Sequence, residues 1–280
     1  MNVLKKIFWK LPDHKSRIKY ANVMSTVCKL LFIKTAKGNL QGIPIYVSSD
    51  DNWGLRKFYF RDDYNLSQIK GLKRILETDR FVFWDIGANY GAYTLLLSQE
   101  ADCTVAIEPM KKTFQCLKKN CSSLKAKIIL EHCAIGERSG ECELFIAEGF
   151  SADNRIFKPS QESRKSEKKK LKALDDIVRT HFKSSPAKNL LKIDVQGAEV
   201  GVLKGAEKLI SESEKIIVMM EVWPRGLEDA GSTLDDLIAA CCKSGLQLVN
   251  DSYEPRAWNS VIEEIEKSES GNTDVLLVKG

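Results

Sequence analysis

The strongest constraint on this chain begins at residue 81. From there, apolar runs of four to eight residues alternate with amphipathic segments. The runs are FVFWDI (81–86), CTVAIE (103–108), AKIILE (126–131), NLLKID (189–194), KIIVMME (215–221), LQLVN (246–250) and TDVLLVK (273–279). They are strand-length and rich in β-branched residues, so they read as buried strands. Helical spacing is predicted over 92–99, 111–121, 174–180, 198–210 and 233–243. Strand–helix alternation implies an α/β fold: a seven-stranded, mainly parallel sheet with helices on both faces. Such sheets bind ligands at the carboxyl ends of their strands, near the point where strand order reverses. With 280 residues, 43% of them hydrophobic, the chain can form one large domain plus a small appendage.

The appendage is expected at the N-terminus, over residues 1–75, with the main domain over 76–280. Residues 1–33 are basic and partly apolar and read first as a helical cap; the second reading is a basic amphipathic surface in weak peripheral contact with anionic lipid. The run ANVMSTVCKLLFI (21–33) is too short and polar for a membrane span, and no small-residue cleavage site follows it. GNLQGIPIYVSSDD (38–51) alternates like a short hairpin, and IKGLKRIL has helical spacing. Beyond residue 81, ECELFIAEG (141–149) reads as an extra strand and turn. QESRKSEKKK (161–170) has no apolar periodicity and reads as a solvated loop or hairpin tip, or else as a grip on an anionic substrate.

The eight cysteines form no CxxC pair facing a histidine cluster, so no zinc site is expected. Buried free thiols imply a reducing, cytoplasmic setting. The net charge of +5 is modest and gives no reason to expect nucleic acid.

The chemistry starts at DIGANYGAY (85–93). A dinucleotide fingerprint has its second glycine where this chain has Asn89, and Asp85 would repel a phosphate. The pattern Asp85, Gly87, Asn89, Gly91 suits a cationic cofactor without phosphate, such as S-adenosyl-L-methionine (SAM), with Asp85 facing its amino group. Glu108 ends the second strand, where a carboxylate can accept hydrogen bonds from two ribose hydroxyls. The segment after the third strand, with His132, Cys133 and Ala134, is expected beside the adenine. Asp194 ends the fourth strand, Glu199 opens the next helix and Glu221 ends the fifth strand, so the three can form one acidic cluster. Trp223 and Trp258 are candidates for stacking on an acceptor, the latter in a turn-rich loop. FYFRDDYN, with Tyr59, Arg61, Asp62 and Tyr64, could close over it.

The pairing of FWDIGANYGAYT with LLKIDVQGAEVGVLKGA resembles the FkbM family of SAM-dependent methyltransferases, and ALDDI (173–177) is similar to that family's T-L-D-D segment. The resemblance covers residues 80 to 225 well. It departs from the family at Gln196, where relatives carry Glu in D-V-E-G. It implies a Rossmann-like class I methyltransferase fold and O-methylation of a small-molecule or carbohydrate hydroxyl, with the N-terminal residues a variable lead-in. Asp194 is the first candidate for the base, ahead of a Mg²⁺ site built from Asp194 with Glu221 or Asp175. Three rival functions stay open: a nucleic-acid methyltransferase, although DVQG stands where N/D-P-P-Y/F is common; a non-catalytic SAM-binding module; and an NAD oxidoreductase, weakened by Asn89.

Overall fold

A computed structural model of the protein describes residues 6, 7, 10, 11, 14–60, 66–160 and 163–280. In chain order its strands are β1 (Thr35–Leu40), β2 (Ile43–Ser48), β3 (Val82–Ile86), β4 (Cys103–Ile107), β5 (Ile128–Glu131), β6 (Ala134–Ile135), β7 (Gly140–Ile146), β8 (Lys165–Lys172), β9 (Lys188–Ile193), β10 (Lys215–Val222), β11 (Gln247–Val249) and β12 (Thr273–Lys279). The seven apolar runs make one sheet of order β11-β12-β10-β9-β3-β4-β5. Pairing is parallel from β10 through β9, β3 and β4 to β5, and β12 runs antiparallel to both its neighbours.

The pleat explains why these strands carry apolar residues on both faces. Trp84, Ile86, Leu191, Ile193 and Val218 point into one core, shared with helices Leu174–His181 and Glu199–Gly205. Phe83, Leu190, Ile217 and Met219 point into a second core on the other face, under helices Leu66–Thr78 and Ala92–Leu97. With both faces covered, alternation with polar residues disappears. Strand order reverses between β3 and β9, so the ligand crevice falls at the ends of these two strands.

Three expectations need correction. The charged run is not simply a loop: residues 165–172 form β8, paired antiparallel to β7. Its register sets Glu141 opposite Lys170 and Glu143 opposite Lys168, so residues of opposite charge face each other across a largely exposed ribbon. Residues 161 and 162 of that run lie outside the described residues. The predicted helix 198–210 is two helices, Glu199–Gly205 and Glu207–Glu212. A Cβ at Gly205 would sit 2.1 Å from the Gly136 carbonyl oxygen, so only glycine permits this approach. The second helix starts afresh because Asp175 accepts from Lys208 N and Leu209 N, both at 2.9 Å, at its first turn. Finally, the turn-rich loop ends at Ala257 and a helix follows, Trp258–Lys267, with Trp258, Val261 and Ile265 on its apolar face.

The N-terminal part contains a helix (His14–Leu30) and the β1–β2 hairpin, and the boundary expected at 75/76 falls inside helix Leu66–Thr78; much of residues 1–13 lies outside the described residues. The hairpin packs on helix Lys111–Cys121, where Asn120 Oδ1 accepts from Tyr46 N at 2.6 Å. Leu40, Ile45, Val47 and Phe58 share a core cluster with Tyr90, Leu95 and Cys116. The eight cysteines are all free; six are buried, Cys142 is half-buried and Cys242 is exposed. Among the described residues, no helix is long and apolar enough to cross a membrane.

Candidate active site

The loop after β3 is shaped by three left-handed residues, Gly87 (φ 77°), Asn89 (φ 51°) and Gly91 (φ 84°). A Cβ at Gly87 would lie 1.9 Å from the Asp194 carbonyl oxygen, so only glycine lets the loop pass this close to the end of β9. The Asn89 amide is turned aside toward Ser151 Oγ, at 3.3 Å, which leaves mainly backbone on the loop's surface.

Glu108 faces that loop from the end of β4. Its Oε2 accepts from Asn89 N at 3.0 Å and its Oε1 from Met110 N at 2.8 Å. A carboxylate has about four lone-pair sites, so about two remain for hydroxyl donors. Burial raises its pKa to about 7, against the pull of those two amides. After β5, the exposed His132 ring stacks on Phe114, centroids 4.6 Å apart. Cys133 and Ala134 turn their side chains into buried packing, which leaves their backbone for any ligand contact.

Asp85 does not face the crevice as expected. It is fully buried, and its Oδ2 accepts from Thr94 N at 3.1 Å and Thr94 Oγ1 at 2.6 Å. Its Oδ1 has no hydrogen-bond partner but lies 3.7 Å from Lys192 Nζ. Lys192 was not among the expected site residues, though a lysine inside the apolar run NLLKID was the available signal. The sheet register sets it beside Asp85, and its ammonium donates to the Gly87 carbonyl at 3.0 Å. The same ammonium is 3.2 Å from Asp194 Oδ2. Burial works against the Lys192 charge, but the carboxylates of Asp194 and Asp85 outweigh it and hold its pKa above the usual lysine range.

Asp194 is the open member of this group, with 40% of its side chain exposed. Its Oδ1 accepts from Gln196 Nε2 at 2.8 Å, and that nitrogen also donates to Glu221 Oε2 at 2.8 Å. Gln196 is therefore a bridge between two carboxylates, held in a left-handed conformation at φ 58°. It does not cap the following helix. Glu199 ties that turn instead, its Oε1 accepting from Gly197 N at 3.1 Å and more distantly from Val195 N. Glu199 thus belongs to the acidic cluster by charge but points its Oε1 at backbone. Burial, opposed by these amides, raises its pKa to about 7. Glu221 Oε1 accepts from Asn272 at 2.7 Å. Burial first, then the Asp194 and Glu199 charges, push its pKa up to about 9. Gln68 joins Tyr93 to Asp274 nearby.

Two of the aromatic candidates are occupied otherwise. The Arg155 guanidinium lies 4.4 Å over the Trp223 ring, and Trp258 packs on the main core. Of the patch before the domain, Arg61, Asp62 and Tyr64 lie outside the described residues. Asp175 is engaged at the helix start described above, away from the proposed pairing with Asp194.

The sequence matches the family model of the methyltransferase FkbM domain over residues 85–245, more than half of the chain. The chain belongs to the FkbM methyltransferase family. The family domain runs from the glycine loop through β9 and β10 to the end of helix Leu234–Lys243, so it contains Asp85, Glu108, Asp194 and Glu221. The matched segment is a methyltransferase domain of a SAM-using family, and its sheet has the class I, Rossmann-like arrangement. Beside the glycine loop, Glu108 keeps about two acceptor positions open for hydroxyl donors, which is chemistry that a ribose-bearing cofactor such as SAM can use.

Among curated proteins, the chain is similar to the hexuronic acid methyltransferase AglP of Haloferax volcanii, 29% identical over 137 residues. That match spans 49% of this chain and about half of the relative, 54%. Two solved structures resemble it more distantly. M. jannaschii TYW2 in complex with AdoMet is 11% identical, covering 88% of this chain and 84% of that one, at a TM-score of 0.43. Magnesium protoporphyrin IX methyltransferase of Synechocystis, with bound SAM, is 8% identical, covering 76% and 79%, at a TM-score of 0.41.

Proposed function

We propose that this FkbM methyltransferase transfers the methyl group to a hydroxyl oxygen of a carbohydrate acceptor, with Asp194 as the general base. The carrying observation is the placement of Asp194: half-open, at the strand-order reversal, touching the glycine loop. Bound SAM supplies a sulfonium methyl that is already a good electrophile and leaves a neutral thioether. The protein's task is alignment of the acceptor oxygen and removal of its proton. Asp194 takes that proton as the new oxygen–carbon bond forms. Lys192 and Gln196 hold its two oxygens from behind.

The remaining polar groups suit a hydroxyl-rich molecule. Glu221 and Asp274 supply oxygens, and Gln196, Asn272 and Gln68 supply amides, so donors and acceptors alternate around the crevice. Burial and the neighbouring carboxylates favour the neutral acid at Glu221, which avoids a second negative charge beside Asp194. Glu199 is a positioning residue that fixes the turn 195–197 rather than a catalytic one. Glu108 accepts the ribose hydroxyls, and His132 with Phe114 flanks the adenine. The similarity to a hexuronic acid methyltransferase supports a sugar acid or a related sugar as acceptor.

The test is transfer of labelled methyl from SAM to free hexuronic acids, neutral hexoses and RNA. Base-stable label is expected in a sugar. Asp194→Asn should lower turnover about 10²–10⁴-fold while SAM affinity stays within a few-fold. Label released by mild base would indicate a methyl ester, and label only in RNA would sink the carbohydrate reading. Near-normal turnover in the variant would remove Asp194 as the base.

A further inference from the structure

From His14 to Ser49 the chain carries six Lys and Arg residues and no Asp or Glu, although the whole chain is nearly balanced at 43 against 38. Within the same segment lies a continuous apolar ridge facing outward. Val23 and Val27 stand one helical turn apart on the exposed side of helix His14–Leu30, and Leu30, Leu31, Phe32 and Ile33 continue from its end. Leu30 is 73% exposed, Leu31 64% and Phe32 89%. Six of the nine large exposed hydrophobic side chains among the described residues fall in these eleven positions, so the ridge is a concentration and not scatter.

Its tip is fixed in place. Leu31 N donates to Val27 O at 3.0 Å and Ile33 N to Cys28 O at 2.9 Å. Between them Phe32 takes a left-handed conformation, φ 54°, which a phenylalanine rarely adopts. The backbone therefore presents the ring to solvent. Exposed lysines flank the ridge at both ends, Lys15 and Lys19 on the helix and Lys34 and Lys37 beyond the tip. A cleft of about 630 Å³ opens beside Phe32 and Ile33, with Lys34, Lys112 and Lys119 in its wall against one carboxylate, Asp50.

We propose that this ridge seats the protein on an anionic lipid bilayer, with Leu31 and Phe32 entering the headgroup–acyl boundary and the lysines contacting lipid phosphates. Apolar residues bordered by cations, with no acid among them, carry the complementarity this surface needs. The contact is peripheral, since no described helix is long and apolar enough to cross a membrane. It does not depend on which acceptor is methylated.

The full chain should co-sediment with vesicles of phosphatidylcholine mixed with phosphatidylglycerol. Binding should be about tenfold weaker on phosphatidylcholine alone and should fall with added salt. The double variant Leu31→Ser/Phe32→Ser should lose about tenfold in vesicle affinity by removing apolar insertion. Lys34→Glu/Lys37→Glu should lose at least as much, on the anionic vesicles only. Both variants should keep the wild-type melting temperature and SAM affinity, which separates a lost surface from a lost fold. Absence of vesicle binding, or equal binding by wild type and both variants, would overturn the proposal. A concentration-dependent dimer abolished by Leu31→Ser/Phe32→Ser, without vesicle binding, would assign the ridge to a second copy of the chain instead.

Discussion

Lys192 is the residue on which the crevice electrostatics rest. One ammonium serves a buried carboxylate, a loop carbonyl and the exposed Asp194. Glu221 shows the opposite balance, because burial and like charge keep its proton on. That predicts a pH dependence of stability. In the unfolded chain the Glu221 proton leaves near 4.5, and in the folded protein near 9. Between those values the folded state binds more protons, so stability due to Glu221 is full below pH 4.5 and is lost as pH rises toward 9. Glu221→Gln removes this loss. Its melting temperature relative to wild type should therefore rise from pH 5 to pH 9, read by thermal unfolding at several pH values. A difference that shrinks over that range would contradict the assignment. At this scale Glu108, Asp194 and Glu221 were legible because each ends a strand, and strand ends define the crevice. Lys192 and the inward turn of Asp85 were not, because they depend on the β3–β9 register, which pairs residues more than a hundred positions apart. Nor could Gln196 be read as a bridge, since neither its left-handed backbone nor its second partner, Glu221, is visible in DVQG.

The elements divide by what makes them form. The seven sheet strands and helix Lys111–Cys121 are specified by apolar pattern, and they appear where that pattern places them. Strand β8 is specified by its partner. SRKSEKKK has no apolar alternation, and only the β7 register brings its lysines opposite Glu141 and Glu143. The β3–loop–helix unit combines both kinds of information. Its glycines are legible, but the reason for Gly87 is the β9 backbone. Gly87→Ala would place a methyl group 1.9 Å from the Asp194 carbonyl oxygen in a left-handed conformation. The loop and the end of β9 must then separate, at a cost of roughly 3 kcal/mol. The expected outcome is a lower urea midpoint together with loss of SAM binding in the protein that remains folded. An unchanged midpoint with normal affinity would mean that the two strand ends are not in contact in solution.

Across the whole molecule, the boundary expected near residue 75 separates two patterns of sequence, and we propose that it does not separate two folding units. The family match starts at residue 85, yet the hairpin before it completes the core around the glycine loop and the helix after β4. Asp51 accepts from Tyr90 Oη at 2.8 Å and from Ser151 N at 3.0 Å, joining the N-terminal part, the glycine loop and the segment after β7. Asn120 binds both Tyr46 and Tyr90 backbone. These ties were not legible because they link single polar residues 30 to 100 positions apart. They are buried, so opening the hairpin would take Tyr46 from Asn120, and Tyr90 and Ser151 from Asp51, in the core of the domain. The hairpin should therefore open only when the sheet does. Native-state hydrogen exchange reads this directly. Amides of β1 and β2 are expected to exchange with the same opening free energy as those of β3 and β9, and urea should unfold the chain in one transition. Hairpin amides that exchange several kcal/mol more easily would show a separately folding appendage, and the N-terminal part would then be dispensable for the shape of the SAM loop.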